Sequence, residues 1–402
     1  MSHGKISVGA ILLVATAWSP ATAAGSARKW DVSLSGRISH ESNVSGTAPS
    51  QAKLRNLTPE DTSYAPTLNL DLVLPVSNQS LFLRGGVGYV FHQNNKNLDS
   101  EVANLAAGAA VTLSACNNML TGTYARNVRD QADLIISDKV KNVVDTKGIR
   151  LDINCSRPSG LGISASGSFT RGDNSSIRLE PTNSEARSYS LGVTYHRPAL
   201  GTLTVFGSET RVEYPDRVAS SVQGGGFINR SVGVTIDRQL GARIEGTVTV
   251  ASSNIKQIDP LTTAPASKNR NSITYSADLS YRPTSRLRTQ AHFSRDVIPT
   301  VRLGNAYDIS TSYRISGSYT LGSRISLDLG ATQSDLNSQS PTVLSALSLT
   351  NSRTKSVVAG VNYAQSRRLS LRLDFEHLER VGDNPIYNFN DDRVGLTTNF
   401  KY

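Results

Sequence analysis

From Val394 to Tyr402 the chain alternates without a break: Val394, Leu396, Thr398, Phe400 and Tyr402 hold every second position, with Gly395, Thr397, Asn399 and Lys401 between them. Period two marks a β-strand with one apolar face. A strand at the end of a chain leaves an unpaired edge, which invites aggregation unless another strand closes on it. A closed barrel supplies that partner, because its last strand pairs with its first.

The same period recurs along the chain. Leu68, Leu70, Leu72, Leu74 and Val76 alternate with Asn69, Asp71, Val73 and Pro75, and after Ser77-Asn78-Gln79 the pattern resumes at Leu81, Leu83, Gly85, Val87, Tyr89 and Phe91. Ile149, Leu151 and Ile153 lead through Ser156-Arg157-Pro158-Ser159-Gly160 to Leu161, Ile163 and Ala165. Tight turns fall near residues 78, 117, 158, 198, 239, 284, 322 and 366, so one tight turn and one long polar connection occupy each repeat of about forty residues. A propeller blade would fit four short strands into that length. The alternating runs here are too long for it, and their length suits a tilted strand crossing a bilayer. Eight tight turns and nine long connections give an all-β, transmembrane antiparallel β-barrel of about 18 strands, with both termini periplasmic.

The amino terminus agrees. Lys5 precedes an apolar run from Ile6 to Trp18, then Pro20 and the small residues Ala21-Thr22-Ala23-Ala24, the layout of a secretory signal peptide. Residues 1–24 are read as that signal and 25–402 as the barrel. The run is shorter than the roughly 20 residues of a spanning helix. No cysteine lies near the cleavage point, which argues against a lipoprotein. An apolar content of 38% does not distinguish a membrane barrel from a soluble protein, since only alternate residues meet lipid. The net charge of +10 would point to nucleic acid in the cytoplasm, and export removes that partner.

Parity sorts the side chains. Tyr195, Tyr281, Tyr319 and Tyr363 share the apolar parity a few residues before a tight turn, as an interfacial girdle would. The polar parity carries the expected lumen lining: Arg84, Arg150, Asp152, Arg243, Glu245, Asp278, Arg288, Arg314, Asp328, Arg372 and Asp374. Acids and bases nearly balance there, so the wall is hydrated, and its charges either keep the strands in register or form a substrate track. Surplus cations sit at the tight turns, at Arg157, Arg197, Arg238, Arg282, Arg286, Arg367 and Arg368, where they meet anionic headgroups or an acidic periplasmic partner.

Cys116 and Cys155 are the two cysteines, and both fall at the periplasmic rim, one or two strands apart. In an oxidising compartment they are expected to form a disulfide. Two cysteines without neighbouring histidines do not complete a metal site. The histidines are scattered; His292 falls on the lumen parity, where a lone histidine is ordinarily solvated. There is no Gly-x-Ser-x-Gly, His-Glu-x-x-His or phosphate loop. Neither an enzyme nor a cofactor is expected.

Two resemblances extend this reading. The ending with Phe400 and Tyr402 resembles the C-terminal assembly signal of bacterial outer-membrane barrels, which implies the barrel assembly machinery and outer-membrane lipid as partners. Trp30-Asp31, followed by Ser39-His40-Glu41-Ser42-Asn43-Val44, is similar to the opening of the β-barrel porins encoded with exopolysaccharide biosynthesis genes, with His40-Glu41 where Tyr-Asp is more usual. That resemblance implies an exit channel for a polysaccharide, served by a periplasmic export partner. The alternatives are a general porin for small hydrophilic solutes and a non-conducting barrel that presents its long loops to the surroundings.

Overall fold

The computed structural model describes residues 28–48, 52, 55–128, 141–157, 159–217, 225–258, 270–300, 306–339 and 349–402. The signal peptide expected over residues 1–24 lies outside them. Eighteen strands follow one another: β1 (Lys29–Glu41), β2 (Asp61–Val76), β3 (Gln79–His92), β4 (Ser100–Leu113), β5 (Cys116–Val128), β6 (Val143–Cys155), β7 (Gly160–Asn174), β8 (Ser184–Arg197) and β9 (Gly201–Glu213). The second half comprises β10 (Gly226–Leu240), β11 (Ile244–Ile258), β12 (Arg270–Tyr281), β13 (Leu287–Pro299), β14 (Tyr307–Thr320), β15 (Ile325–Gln339), β16 (Asn351–Ala364), β17 (Leu369–Gly382) and β18 (Phe389–Lys401). Each pairs antiparallel with its sequence neighbours, and β1 pairs with both β2 and β18, which closes the sheet. The count and the closure expected from the alternation are both met.

The eight tight turns lie at one rim. Two of them are only two residues long, and Ser77 and Ser114 adopt the left-handed φ (55° and 54°) that a hairpin turn of this length requires. The outer face is apolar and exposed. Leu34 stands between Leu68 and Phe400, Val193 faces Ile163 and Val205, and Leu373 lies between Val361 and Leu396. Leu191 is 64% and Leu329 63% exposed, which in water would be a large unfavourable surface. Tyr195, Tyr281, Tyr319, Tyr363 and Phe400 ring this face close to the tight-turn rim. Cys116 and Cys155 are direct cross-strand partners at that rim and are bonded, with Cα atoms 3.9 Å apart.

In hydrocarbon every backbone polar group must find its partner within the protein, and a closed barrel is the β solution to that requirement. Apolar outside, polar inside and aromatic at the rim, the molecule is a bacterial outer-membrane β-barrel. Its packed core is not central. Ala186, Val212, Tyr214, Phe227, Ile255, Ala306, Tyr307 and Ile309 form a buried cluster at the long-loop end.

Candidate functional site

A strand needs about 9 to 11 residues to cross a bilayer, and these run from 12 to 16. The excess lies at the long-loop end, where outward positions change from aliphatic to charged. Arg126 pairs with Glu101 (3.1 Å) and Asp145 (3.3 Å), Arg171 with Asp173 (2.8 Å) and Glu185 (3.1 Å), Arg230 with Glu209 (2.7 Å), and Arg353 with Asp335 (2.6 Å). This outer charged collar was not anticipated from the sequence, although the motifs that mark it are plain: Arg171-Gly172-Asp173 and Glu185-Ala186-Arg187 put charge on the parity that is aliphatic lower in the same strands.

Inside, the lining divides into two arcs. From β15 round through β18 to β3 the wall is charged. Arg372 reaches Asp328 at 2.6 Å and Asp374 at 3.6 Å, and Asp374 receives Arg37 through two parallel hydrogen bonds of 2.9 and 2.7 Å. Asp328, Arg372, Asp374 and Arg37 therefore form one neutral chain spanning five strands. Glycine makes the crossing possible. Gly360 and Gly395 flank Asp374 on the neighbouring strands, and a Cβ at Gly395 would lie 2.4 Å from the Arg37 guanidinium, while one at Gly360 would lie 2.8 Å from that of Arg372. Asn362 completes the cluster, donating to Asp328 (2.7 Å) and accepting from Arg372 (3.0 Å). Nearer the tight-turn rim Arg84 pairs with Asp71 (3.0 Å) and Lys401 with Asp31 (2.9 Å).

The opposite arc, β7 to β11, presents hydroxyls. Its inward positions include Ser164, Ser166, Ser168, Ser188, Ser190, Thr204, Ser208 and Thr249, and neighbouring strands exchange hydrogen bonds at Ser188–Thr210 (3.0 Å), Ser231–Ser253 (2.8 Å) and Thr235–Thr249 (2.9 Å). Asp237 and Glu245 are acids of this arc, both near the tight-turn rim.

The expected lumen residues distribute unevenly over this pattern. Arg84, Arg372, Asp328 and Asp374 gather in the charged arc. Arg150 and Asp152, two apart on one strand, pair with each other at 2.5 Å. Asp278 and His292 are cross-strand partners at 2.7 Å, with Arg314 next to His292 on β14 and Arg288 lower on β13. Arg243 is a correction. It occupies the turn before β11 and not the wall, because the alternation of β11 starts only at Ile244, so inward parity was counted one residue too far.

The long-loop end of the lumen is covered. Inward-facing Asp61, Val212, Phe227, Ile255 and Asp391 are all nearly inaccessible: loop backbone bonds to Asp61 and Asp391, while Tyr307 and Ile309 of β14 cluster with Val212, Phe227 and Ile255. Asp61 accepts hydrogen bonds from the backbone N–H groups of Thr62, Asn94 and Asn95 and from the Asn95 amide, which ties the first loop to the loop after β3. Asp391 accepts from the backbone N–H of Asn43, so the Ser42-Asn43 segment is held against β18. On the other side Tyr214 knits the loops together. Its hydroxyl accepts from the Thr300 N–H and donates to the Ala306 carbonyl, both at 2.9 Å. Arg217 lies 3.6 Å above its ring and donates to the Pro181 carbonyl. Three loops meet there, and sequence alternation carries no signal for it.

Burial pushes the Tyr214 phenol well above its ordinary range, against the opposing pull of Arg217 and the Thr300 hydrogen bond. The hydroxyl therefore keeps its proton through the alkaline range, and the bridge is fully present below the ordinary phenol pKa and lost only as pH rises through the raised value. Tyr214→Phe is expected to loosen these loops by roughly 1 to 3 kcal/mol. Limited proteolysis of the folded barrel, followed by peptide mapping, should show faster cutting between Tyr214 and Gly226.

Among the described residues no group of three or more His, Cys, Asp or Glu side chains is placed to hold a metal ion. No family model matches the sequence, and no curated protein matches it. Solved structures do. OccK2 (OpdF) of Pseudomonas aeruginosa is 11% identical, with 93% of this chain and 98% of that chain covered and a TM-score of 0.48. A BenF-like porin of Pseudomonas fluorescens Pf-5 is 12% identical (93% and 99% covered, TM-score 0.48), and OccAB3 of Acinetobacter baumannii 10% (93% and 100%, TM-score 0.46). These values mark a distant likeness.

Proposed function

We propose that the chain, after loss of residues 1–24, forms a water-filled channel for small hydrophilic solutes across the outer membrane. The observation that carries this reading is the lumen wall, polar from the tight-turn rim up to the apolar cluster at the long-loop end, with its arginines neutralised by carboxylates along one arc and hydroxyls along the other. Such a wall offers many weak contacts and no deep trap. The loops packed over the inward ends of the strands narrow the long-loop mouth and favour small solutes over a polymer.

Export of an exopolysaccharide is the second reading. It draws on the resemblance of the Trp30–Val44 segment and on the hydroxyl arc, whose serines and threonines match the hydrogen-bonding groups of a sugar chain. Under that reading a periplasmic export partner docks at the arginine-rich turns.

Purified protein in a planar bilayer is expected to give an ohmic current with little preference between cations and anions. Asp374→Asn removes the carboxylate shared by Arg37 and Arg372 and should shift permeability several-fold toward anions. Heat-modifiable migration on a gel verifies that the variant is folded. A barrel that passes no current would remove the channel reading and leave the non-conducting alternative. Deleting the gene separates the two transport readings, since only export requires a loss of surface polysaccharide.

A further inference from the structure

A barrel wall in lipid should be continuously paired, and one seam here is not. β11 and β12 pair at twelve positions and β13 and β14 at thirteen, but β12 and β13 at only seven, from Tyr281 with Thr289 to Tyr275 with Arg295. Above that rung the two strands part. The upper part of β12 stays on β11, where Arg270 faces Ile255, while the upper part of β13 follows β14 inward. Val297, Tyr307 and Ile309 share the outward parity of Tyr313, yet Tyr307 and Ile309 are buried against Phe227 and Ile255 of the inner wall, with the Phe227 and Tyr307 rings 5.5 Å apart. The β13–β14 end has bent into the lumen and left a cleft on the outside.

That cleft comprises two cavities of about 510 and 490 Å³, both lined by Arg270, Arg295 and Ile309. At its foot the Tyr275 and Tyr313 hydroxyls lie 3.5 Å apart across the seam. Tyrosines at that height mark the outer-leaflet interface. Arg295 stands level with Tyr275, and Arg270, at the top of β12, joins it in lining the cleft at the open seam. Neither has a carboxylate partner among the described residues, whereas the collar arginines Arg126, Arg171, Arg230 and Arg353 are each paired. Ile273, 64% exposed, lies between the two arginines in height, and Leu279 and Ile315 form an exposed aliphatic wall below the tyrosines.

We propose that this cleft binds a phosphorylated outer-leaflet glycolipid of the lipid A type, its phosphate between Arg270 and Arg295 and one acyl chain running down past Tyr275 and Tyr313 along Leu279 and Ile315. Arginine's planar fork suits a phosphate, and the bound headgroup would cover the unpaired backbone of the parted strands. The site lies on the lipid side of the wall and does not depend on what crosses the lumen.

Native mass spectrometry of the folded barrel titrated with bisphosphorylated lipid A tests this. Arg270→Gln and Arg295→Gln are each expected to weaken retention about tenfold, as loss of a charged hydrogen bond implies, with Arg171→Gln in the paired collar leaving it unchanged. Fully dephosphorylated lipid A should bind no better to wild type than to the double variant. Equal retention by the double variant, an equal loss with Arg171→Gln, or displacement of the lipid by millimolar inorganic phosphate would overturn the proposal, the last by pointing to a solute site. A photoactivatable acyl chain on the wild-type protein gives a readout free of folding effects. Label should concentrate on Tyr275, Leu279 and Ile315, and label spread evenly round the barrel refutes the site.

Discussion

Arginine at Leu329 or Leu373 is expected to block assembly, while arginine at Ser326 or Ser370 in the same two strands is tolerated. Leu329 and Leu373 are 63% and 54% exposed on the outer face, next to Ala359 and to Val361 and Leu396 respectively, so a charge there meets hydrocarbon. The penalty at the bilayer midplane is about 2 to 4 kcal/mol. Ser326 and Ser370 face the lumen, opposite Asn362 and Asn399, where water solvates an added guanidinium. Refolding into lipid vesicles in a urea series, followed by heat-modifiable migration, measures both. Equal tolerance on the two faces would contradict a membrane-facing outer wall.

Removal of the last three residues should have the other large effect. Phe400 packs between Leu34 and Leu369, the Lys401 N–H donates to the Arg368 carbonyl (2.7 Å), the Tyr402 N–H donates to the Val32 carbonyl (2.9 Å), and the Lys401 ammonium pairs with Asp31. Without them the first turn of the closing seam has no partner, and unpaired backbone cannot persist in hydrocarbon. Most of the truncated chain is expected in the periplasm or degraded, read by blotting of fractionated membranes. Phe400→Tyr in the full-length chain, which keeps the strand and an aromatic ring, should leave outer-membrane levels unchanged.

How far the sequence reads depends on what kind of signal each feature leaves. Alternation is set by the pleat, so strands, faces and turns were legible wherever one face meets lipid, as at Leu68 to Val76 or Val394 to Tyr402. Arg243 was misplaced because period two carries no mark of where a strand ends. The pairing of Arg37 with Asp374 joins residues far apart in the chain, through a crossing that depends on Gly395 of the strand between them. Nothing local predicts it. The outer collar was legible in Arg171 and Glu185, whose charges sit on the parity that is aliphatic lower in the same strands. The loop bridge at Tyr214 and the parted strands β12 and β13 depend on tertiary packing alone, which overrides the wall pattern at Tyr307 and Ile309.

The glycines beside Asp374 also bear on accuracy in assembly. Joining the ends of an 18-stranded sheet offers several near-equivalent alignments, and a slide of two residues keeps every apolar side chain on the outside, so lipid cannot penalise it. The lumen can. Arg37 stands opposite Thr397 and reaches Asp374 over Gly395, and after such a slide it would stand opposite Gly395 or Asn399, with its carboxylate out of line. Lys401 with Asp31 and Arg393 with Glu41 (3.6 Å) would be displaced together. Three ion pairs at three heights thus act as a keyed joint, which rewards one alignment of the first and last strands over its neighbours while the hydrophobic exterior remains indifferent.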